Sequence, residues 1–288
     1  MTSTRPGEPR TLISLSARIK NAAQAEGRPQ RRFELVVANT VVGQMLPPGV
    51  IKGGMAIKLR VGEAASRFTR DLDATRPAAV SLDDYVDALA DRLAEGWAGF
   101  TGVVRPVERP NPMGVPPDYI MQPFLIRLSY KGSAWFNVML ELGRDEIGGT
   151  NQFEERIADD IRELFALIGL PAPRPIPLLA LDHQIAQKLH ACTSADVNGQ
   201  NERAHDLVDL QILVREEHPD LTAISTTAGR LFVARRAQAW PPTVIAYQNW
   251  DTIYAAAAEG LDVIDDVNEA VVWTNRLIAE IARGGVAR

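Results

Sequence analysis

Two carboxylates at alternate positions, Asp71-Leu72-Asp73, follow the run Lys52-Gly53-Gly54 at a distance that one short helix would fill. A glycine pair ending an apolar segment lets backbone N–H groups approach a phosphate closely, because no Cβ stands in the way. Carboxylates two apart on a strand point to one face, about 6.5–7 Å apart along it. They offer hard oxygen ligands through which a divalent metal can bridge to a nucleotide's phosphates. These are the parts of a nucleotidyl-transfer site. Each has a plainer reading: glycine pairs are usually turns, and an Asp-x-Asp pair is more often a solvated strand end.

A third carboxylate, Glu141, falls between Leu140 and Leu142 in the alternating segment Asn137 to Leu142. An acidic side chain inside an apolar strand needs a partner or a metal to offset its desolvation. The pattern alone favours an edge strand with Glu141 facing water. Beside Asp71 and Asp73, Glu141 becomes a candidate third ligand in a layout suited to two-metal phosphoryl chemistry. Farther on, Gln184 to Ala191 is amphipathic and carries Lys188 among apolar neighbours. Such a lysine ordinarily snorkels to water; a functional one reaches a triphosphate as a point charge. Arg203, Asp206 and Asp209 recur every three residues, on one helix face, where the plain reading is an intrahelical ion pair.

The elements that must hold these residues follow from punctuation and periodicity. Helices are predicted over Ser14 to Ala25 and Phe33 to Leu46, the second stopped by Pro47-Pro48-Gly49. Val50 to Lys52 is extended, Met55 to Arg60 helical, and Phe68 to Ala74 a strand bearing both aspartates. Ser81 opens a capping box for the helix containing Tyr85, Leu89 and Leu93, which Gly96 ends. Strands are predicted at Thr101 to Val107, Phe124 to Tyr130 and Trp135 to Leu142, the last two joined by a Lys131-Gly132-Ser133 hairpin turn. Phe153 to Ile168 reads as a helix. Pro171, Pro173, Pro175 and Pro177 read as a stiff connector and the best domain boundary. Beyond it five helices are expected: Leu181 to Thr193, Arg203 to Glu217, Ala223 to Arg236, Trp250 to Glu259 and Val263 to Ala282.

Composition bounds the rest. The 288 residues are 46 % hydrophobic, enough for a sizeable core and two domains. A net charge of −5 argues against a general nucleic-acid coat but leaves room for a local basic face. Arg60, Arg67 and Arg70 flank the first motif, and Arg230, Arg235 and Arg236 lie on a later helix; the plain reading of both groups is a solvated charged face. The single cysteine, Cys192, excludes an intrachain disulfide, and Met1 to Pro9 lack the apolar stretch of a signal peptide. No apolar run spans a bilayer, so a cytoplasmic protein without a membrane partner is expected.

Taken in order, Lys52-Gly53-Gly54, Asp71-Leu72-Asp73, Glu141, Lys188 and the set Arg203, Asp206, Asp209, Leu210 make the chain resemble the AbiEii-type nucleotidyltransferase toxins of type IV toxin–antitoxin systems. Within them it looks most like the mycobacterial MenT branch, over roughly Leu12 to Ala282. The resemblance implies an α+β fold: a DNA polymerase β-like nucleotidyltransferase domain over 1–170, then an α-helical lobe over 178–288, with the active site between them. It puts the nucleotide-phosphate loop on Lys52, Gly53 and Gly54. It puts the metal on Asp71 and Asp73, with Glu141 as the third carboxylate, and the triphosphate on Lys188. Asp209 is the essential acidic residue of the final motif, so Asp71, Lys188 and Asp209 form the catalytic set.

The implied cofactor is Mg²⁺, with Mn²⁺ as a substitute. The implied substrates are an NTP and the 3′ end of tRNA, whose modification blocks aminoacylation and translation; a cognate antitoxin is a separate chain. Two alternatives stay open: nucleotidyl or phosphoryl transfer to a protein hydroxyl, and a non-catalytic nucleotide-binding module. One departure bears on them, since the family carries Ser or Thr after the glycine pair and this chain has Met55. The missing hydroxyl would give the phosphates a charge-assisted hydrogen bond of about 1.5–3 kcal/mol. By strand alternation Thr69 shares a face with Asp71 and Asp73. Thr69, or Ser66 if the register shifts, is therefore the expected position for an inactivating phosphate.

Overall fold

A computed structural model describes residues 7–108, 120–196, 198–236 and 238–284; the polar start at residues 1–6 lies outside them. The chain order is α1 (Leu12–Ala25), α2 (Gln30–Met45), β1 (Val50–Lys52), α3 (Gly53–Val61), β2 (Leu72–Arg76), α4 (Leu82–Glu95), β3 (Phe100–Pro106), β4 (Gln122–Tyr130) and β5 (Ser133–Arg144). A short 3₁₀ turn, β6 (Phe153–Arg156), α5 (Asp159–Leu167) and β7 (Ile176–Leu179) follow, then α6 (Leu181–Thr193), α7 (His205–Glu217), α8 (Leu221–Arg235), α9 (Trp250–Ala258) and α10 (Val267–Gly284). This is an α+β fold.

All seven strands join one mixed sheet in the order β3-β4-β5-β2-β1-β7-β6. Alternation divides its central strands cleanly. Ile51, Leu72, Ala74, Leu140, Leu142 and Leu178 point to one face, where they pack into a core with Leu15 and Ile19 of α1, Val37 and Val41 of α2, Leu89 of α4 and Phe165 of α5. The opposite face carries Lys52, Asp73, Thr75 and Glu141. A second core lies among the later helices, built on Leu189, Leu207, Leu210, Trp250 and Ile278, and reaches back to Ile57 of α3.

Local chemistry explains the element ends. Thr11 caps α1 through its hydroxyl, and Ser81 caps α4 by accepting from the Asp84 amide at 3.1 Å. Asp220 does the same for α8.

Three expectations need correction. Phe153 to Arg156 is not the start of a helix: it pairs antiparallel with β7, and the helix begins only at Asp159. The proline-rich connector does not stay outside the sheet, because Ile176 to Leu179 forms β7 between β1 and β6. Ile176, between Pro175 and Pro177, and Leu178, just after them, are both buried in the first core. The strand bearing the aspartates starts at Leu72, so Ser66, Thr69 and Asp71 precede it.

Candidate active site

The site begins where β1 ends and α3 starts. Gly53 is the first residue of α3 with φ +65°, a conformation in which a Cβ is strained. The structure adds a second reason for both glycines. A Cβ on Gly53 would collide with the Asp73 carboxylate, and one on Gly54 with the Thr69 hydroxyl. The glycine pair thus makes room for two of the chain's own polar side chains as well as exposing backbone N–H groups at a helix start.

Lys52 stands opposite Asp73 in the antiparallel β1–β2 register, and Asp73 stands opposite Glu141 in the parallel β2–β5 register. Directly opposed residues point to the same face, so the three side chains form a row across the sheet. Glu141 is therefore not on an edge strand: β5 lies between β4 and β2. Asp71 is exposed, just ahead of β2. None of the three carboxylates accepts a hydrogen bond or forms an ion pair within 4 Å among the described residues. Burial, then the neighbouring charges of Asp73 and Asp71, hold Glu141 above the usual carboxylate range. Burial also raises Asp71 and Asp73, against the pull of Arg70 on the first and of Lys52, Arg203 and Lys188 on the second. Burial pushes Lys52 below its ordinary value although Asp73 and Glu146 oppose it.

The second half of the site is closed. Lys188 is buried and does not snorkel: its ammonium donates to Asp206 Oδ1 at 2.8 Å and to Asp209 Oδ2 at 2.6 Å. Arg67 completes the group by donating from Nε and Nη2 to the two Asp209 oxygens, both at 2.9 Å. Burial opposes the Asp209 charge, but Arg67 and Lys188 outweigh it and hold the carboxyl far below its usual value. In turn Asp206 and Asp209 hold Lys188 above its ordinary value despite burial. The expected intrahelical pairing of Arg203 with Asp206 and Asp209 does not form. α7 starts at His205, so Arg203 precedes it, exposed, and both aspartates face α6 instead.

Arg67 as the clamp on Asp209 was missed by sequence reasoning, which grouped it with surface cations. Most of the expected basic surface is likewise committed. The Arg60 side chain is fully covered and pairs with Glu154 at 2.7 Å and Glu217 at 3.3 Å. Arg235 pairs with Glu146 at 2.8 Å, and Arg230 donates to the Ile147 carbonyl. Arg70, Arg230 and Arg236 remain exposed. The loop carrying Arg67 is itself anchored by an ionic cluster that periodicity does not signal: Glu63 is paired with both Lys58 and Arg32, and Ser66 Oγ accepts from Lys58 at 3.0 Å.

Met55, standing where a hydroxyl was expected, is fully buried in the first core, with the Asn39 amide 3.8 Å from its sulfur. The Thr69 hydroxyl lies against Gly54, and its Oγ1 is buried with no hydrogen-bond partner among the described residues. Ser66, the alternative position for a regulatory phosphate, is almost fully covered.

Among the described residues no three His, Cys, Asp or Glu side chains are gathered closely enough to form a ready metal centre. The donor chemistry nevertheless suits a hard cation: all-oxygen, adjacent in register, unpaired, and mutually repelling in the case of Glu141. Mg²⁺ commonly takes one or two carboxylates and completes its shell with water and substrate phosphates, which is what Asp73 and Glu141, with Asp71 in front, have to offer. No helix among the described residues is long and apolar enough to cross a membrane.

Comparison with known proteins gives this geometry a family. No curated protein matches the chain in sequence. The solved structure of MenT4, a nucleotidyltransferase toxin from Mycobacterium tuberculosis, matches with a TM-score of 0.50 and 17 % identity, covering 96 % of this chain and 98 % of that one. At that identity the likeness concerns the fold. The family profile described as the nucleotidyl transferase AbiEii toxin of type IV toxin–antitoxin systems matches residues 43–272. That span holds the glycine loop, all three carboxylates and the Lys188–Asp209 pair, and the chain belongs to the AbiEii family of nucleotidyl transferase toxins.

Proposed function

We propose that this chain transfers a nucleoside monophosphate from an NTP to the 3′ end of tRNA, releasing pyrophosphate and blocking aminoacylation. The observation that carries the reading is the row Lys52, Asp73, Glu141 across β1, β2 and β5, beside the glycine pair. In the reaction the 3′-hydroxyl oxygen bonds to the α-phosphorus, and the bond from that phosphorus to the oxygen bridging it to the β-phosphorus breaks. Asp71, the exposed carboxylate, accepts the hydroxyl proton. Asp73 and Glu141, with Asp71, would hold Mg²⁺, which when bound lowers the pKa of the attacking hydroxyl and offsets charge on the leaving pyrophosphate.

Lys52 and the Gly53–Gly54 amides face the phosphates from the β1 end. Lys188 and Arg67 reach them only by sharing the charge they now give to Asp209, so the closed cluster orients the phosphate side of the site. Arg70 and Arg203 stay exposed to meet the RNA backbone. The cognate antitoxin is a separate protein that must silence this face in the host.

The test is incubation with total tRNA, Mg²⁺ and each radiolabelled NTP in turn. Label is expected on the RNA, at its 3′ end and with pyrophosphate released. Label on the protein instead would move the reading to a protein hydroxyl as acceptor. Nucleotide binding with no label transferred would move it to a binding module.

A further inference from the structure

We propose that Arg32 is a positioning residue of the transfer site: its guanidinium grips the backbone of the loop between α3 and β2 and so sets where Arg67 and Asp71 stand. The proposal rests on the nucleotidyl-transfer reading, with Asp71 as the proton acceptor, and adds the residue that holds the acceptor's loop in place.

The loop, residues 62–71, has no regular secondary structure, yet it delivers three groups to the site within five positions. Arg67 clamps Asp209, Thr69 lies against Gly54, and Asp71 stands exposed ahead of β2. Asp71 makes no hydrogen bond among the described residues, so its place is set by the course of the loop. A segment without ladder or helical turn needs its carbonyls and amides satisfied from outside.

Those bonds gather at the loop's start. Arg32, in the first turn of α2, donates from Nη2 to the Ser66 carbonyl at 2.5 Å and the Glu63 carbonyl at 3.1 Å, and its Nε pairs with the Glu63 carboxylate. Arg28 adds longer bonds to the Glu63 and Ala64 carbonyls, at 3.3 and 3.4 Å. From the other side Asp160, in the first turn of α5, accepts from the Glu63 and Ala64 amides at 2.7 and 3.2 Å. Of these anchors Arg32 reaches farthest along the loop, because Ser66 immediately precedes Arg67. A planar fork of donors makes the three-point grip possible, and an ammonium cannot reproduce it.

Lys58 supplies the contrast. It is more deeply covered than Arg32, yet it touches only side chains of the loop, the Glu63 carboxylate and the Ser66 hydroxyl. Burial, then Arg32, push Lys58 well below its ordinary value. Burial and then Arg28 lower Arg32 to about 10, so its charge persists at neutral pH. Two buried cations on one carboxylate stabilise a loop poorly for their desolvation cost. What the arrangement secures is one backbone course beside the reacting groups, where a 1 Å misplacement can cost about a hundredfold in rate.

The test compares Arg32→Lys with Lys58→Met, using whichever acceptor takes label from the parent. Arg32→Lys keeps a charge on Glu63 and loses the fork. Amide hydrogen exchange in residues 63–71 should quicken at least about tenfold while α4 and α10 exchange as in the parent. Its kcat should fall about ten- to a hundredfold. KM for NTP should stay within about threefold, because Lys52 and the Gly53–Gly54 amides lie outside the loop. Lys58→Met should keep kcat within about twofold of the parent's, whatever its melting temperature. A merely structural role predicts the reverse order, with the more buried lysine mattering more and kcat per folded molecule unchanged in both. Glu63→Gln keeps every backbone bond but loosens the guanidinium, so it should shift exchange and kcat the same way by less. It carries the test if Arg32→Lys melts below the assay temperature. Unchanged kcat in the variant carrying the test, or an equal fall in Lys58→Met, would overturn the proposal. If the parent moves no label to any acceptor, the transfer reading itself falls, and the role of Arg32 with it.

Discussion

Two groups of acidic residues lie within reach of each other and have opposite electrostatic fates. Asp71, Asp73 and Glu141 are without hydrogen bonds among the described residues, and burial lifts their pKa values. Asp206 and Asp209 are more deeply buried and held below their ordinary values, because Lys188 and Arg67 were brought to them. Burial alone therefore does not decide which carboxylates are stable. The paired group is a finished piece of structure whose removal leaves charges stranded. The unpaired group is a cost to the fold, of the kind that persists where a positive ligand is to be bound.

The largest expected effect separates the two. Asp73→Asn should abolish transfer, since a carboxylate of the proposed metal site is lost, while melting temperature stays at or above the parent's because a desolvated charge is removed. Asp209→Asn should lose activity and stability together, by about 3–5 kcal/mol, the typical cost of breaking a buried ion pair. Denaturant titration of the two variants side by side reads the contrast. Equal destabilisation would break it.

Next comes the glycine loop. Met55→Ser looks from the sequence like restoration of a family hydroxyl, which would improve nucleotide affinity. Met55 is fully buried, so the substitution opens a cavity and buries a hydroxyl. A loss of about 3 kcal/mol in stability is expected, with no gain in NTP affinity. Tighter NTP binding in this variant would show that the loop rearranges around the substrate.

The pH dependence sharpens the same comparison by sign. Asp206 and Asp209 titrate in the folded protein below the unfolded carboxylate value of about 3.9. Their stabilisation is complete above that value and is lost as pH falls through the folded pKa values. Asp71, Asp73 and Glu141 titrate above their unfolded values, so the folded state takes up their protons first. That group raises stability as pH falls from the folded values toward the unfolded ones. Unfolding free energies between pH 7 and pH 2 should therefore lose part of their rise in Asp73→Asn and part of their acid fall in Asp209→Asn.

What the sequence made legible follows the range of each signal. Helices α1, α4 and α6 and the β4–β5 hairpin are written in local periodicity and caps, and they appear within a few residues of expectation. The carboxylates and the glycine pair were visible as residue types. Pairing across long sequence distances was not. Nothing near Arg67 says that its partner is Asp209, and nothing near Lys188 says that it is sealed and not snorkelling. β7 was hidden because the run of alternate prolines ending at Pro177 resembles a linker, whereas Ile176, Leu178 and Leu179 carry the burial. Glu141 was drawn toward an edge strand because its neighbour β2 is supplied from more than sixty positions earlier.

The smallest effect concerns Thr69, which we propose as the position of an inactivating phosphate. The structure alters the argument for it. Thr69 is not on a strand with Asp73; like Asp71 it lies in the segment ahead of β2, with its hydroxyl turned onto Gly54. Ser66 is a poor substitute, being covered and already bonded to Lys58. The Thr69 hydroxyl is buried without a partner among the described residues, so Thr69→Val, of the same shape, should raise stability slightly, by up to about 1 kcal/mol. A phosphate there, or its partial mimic Thr69→Glu, cannot remain against Gly54, where even a Cβ has no room beside the hydroxyl. It must turn outward and bring about −1.5 to −2 charges beside Asp71, repelling the triphosphate. Growth arrest on expression is therefore expected to persist in Thr69→Val and to disappear in Thr69→Glu. Arrest by Thr69→Glu equal to the parent's would remove Thr69 from the control of this site and leave its hydroxyl as an unsatisfied group under the glycine loop.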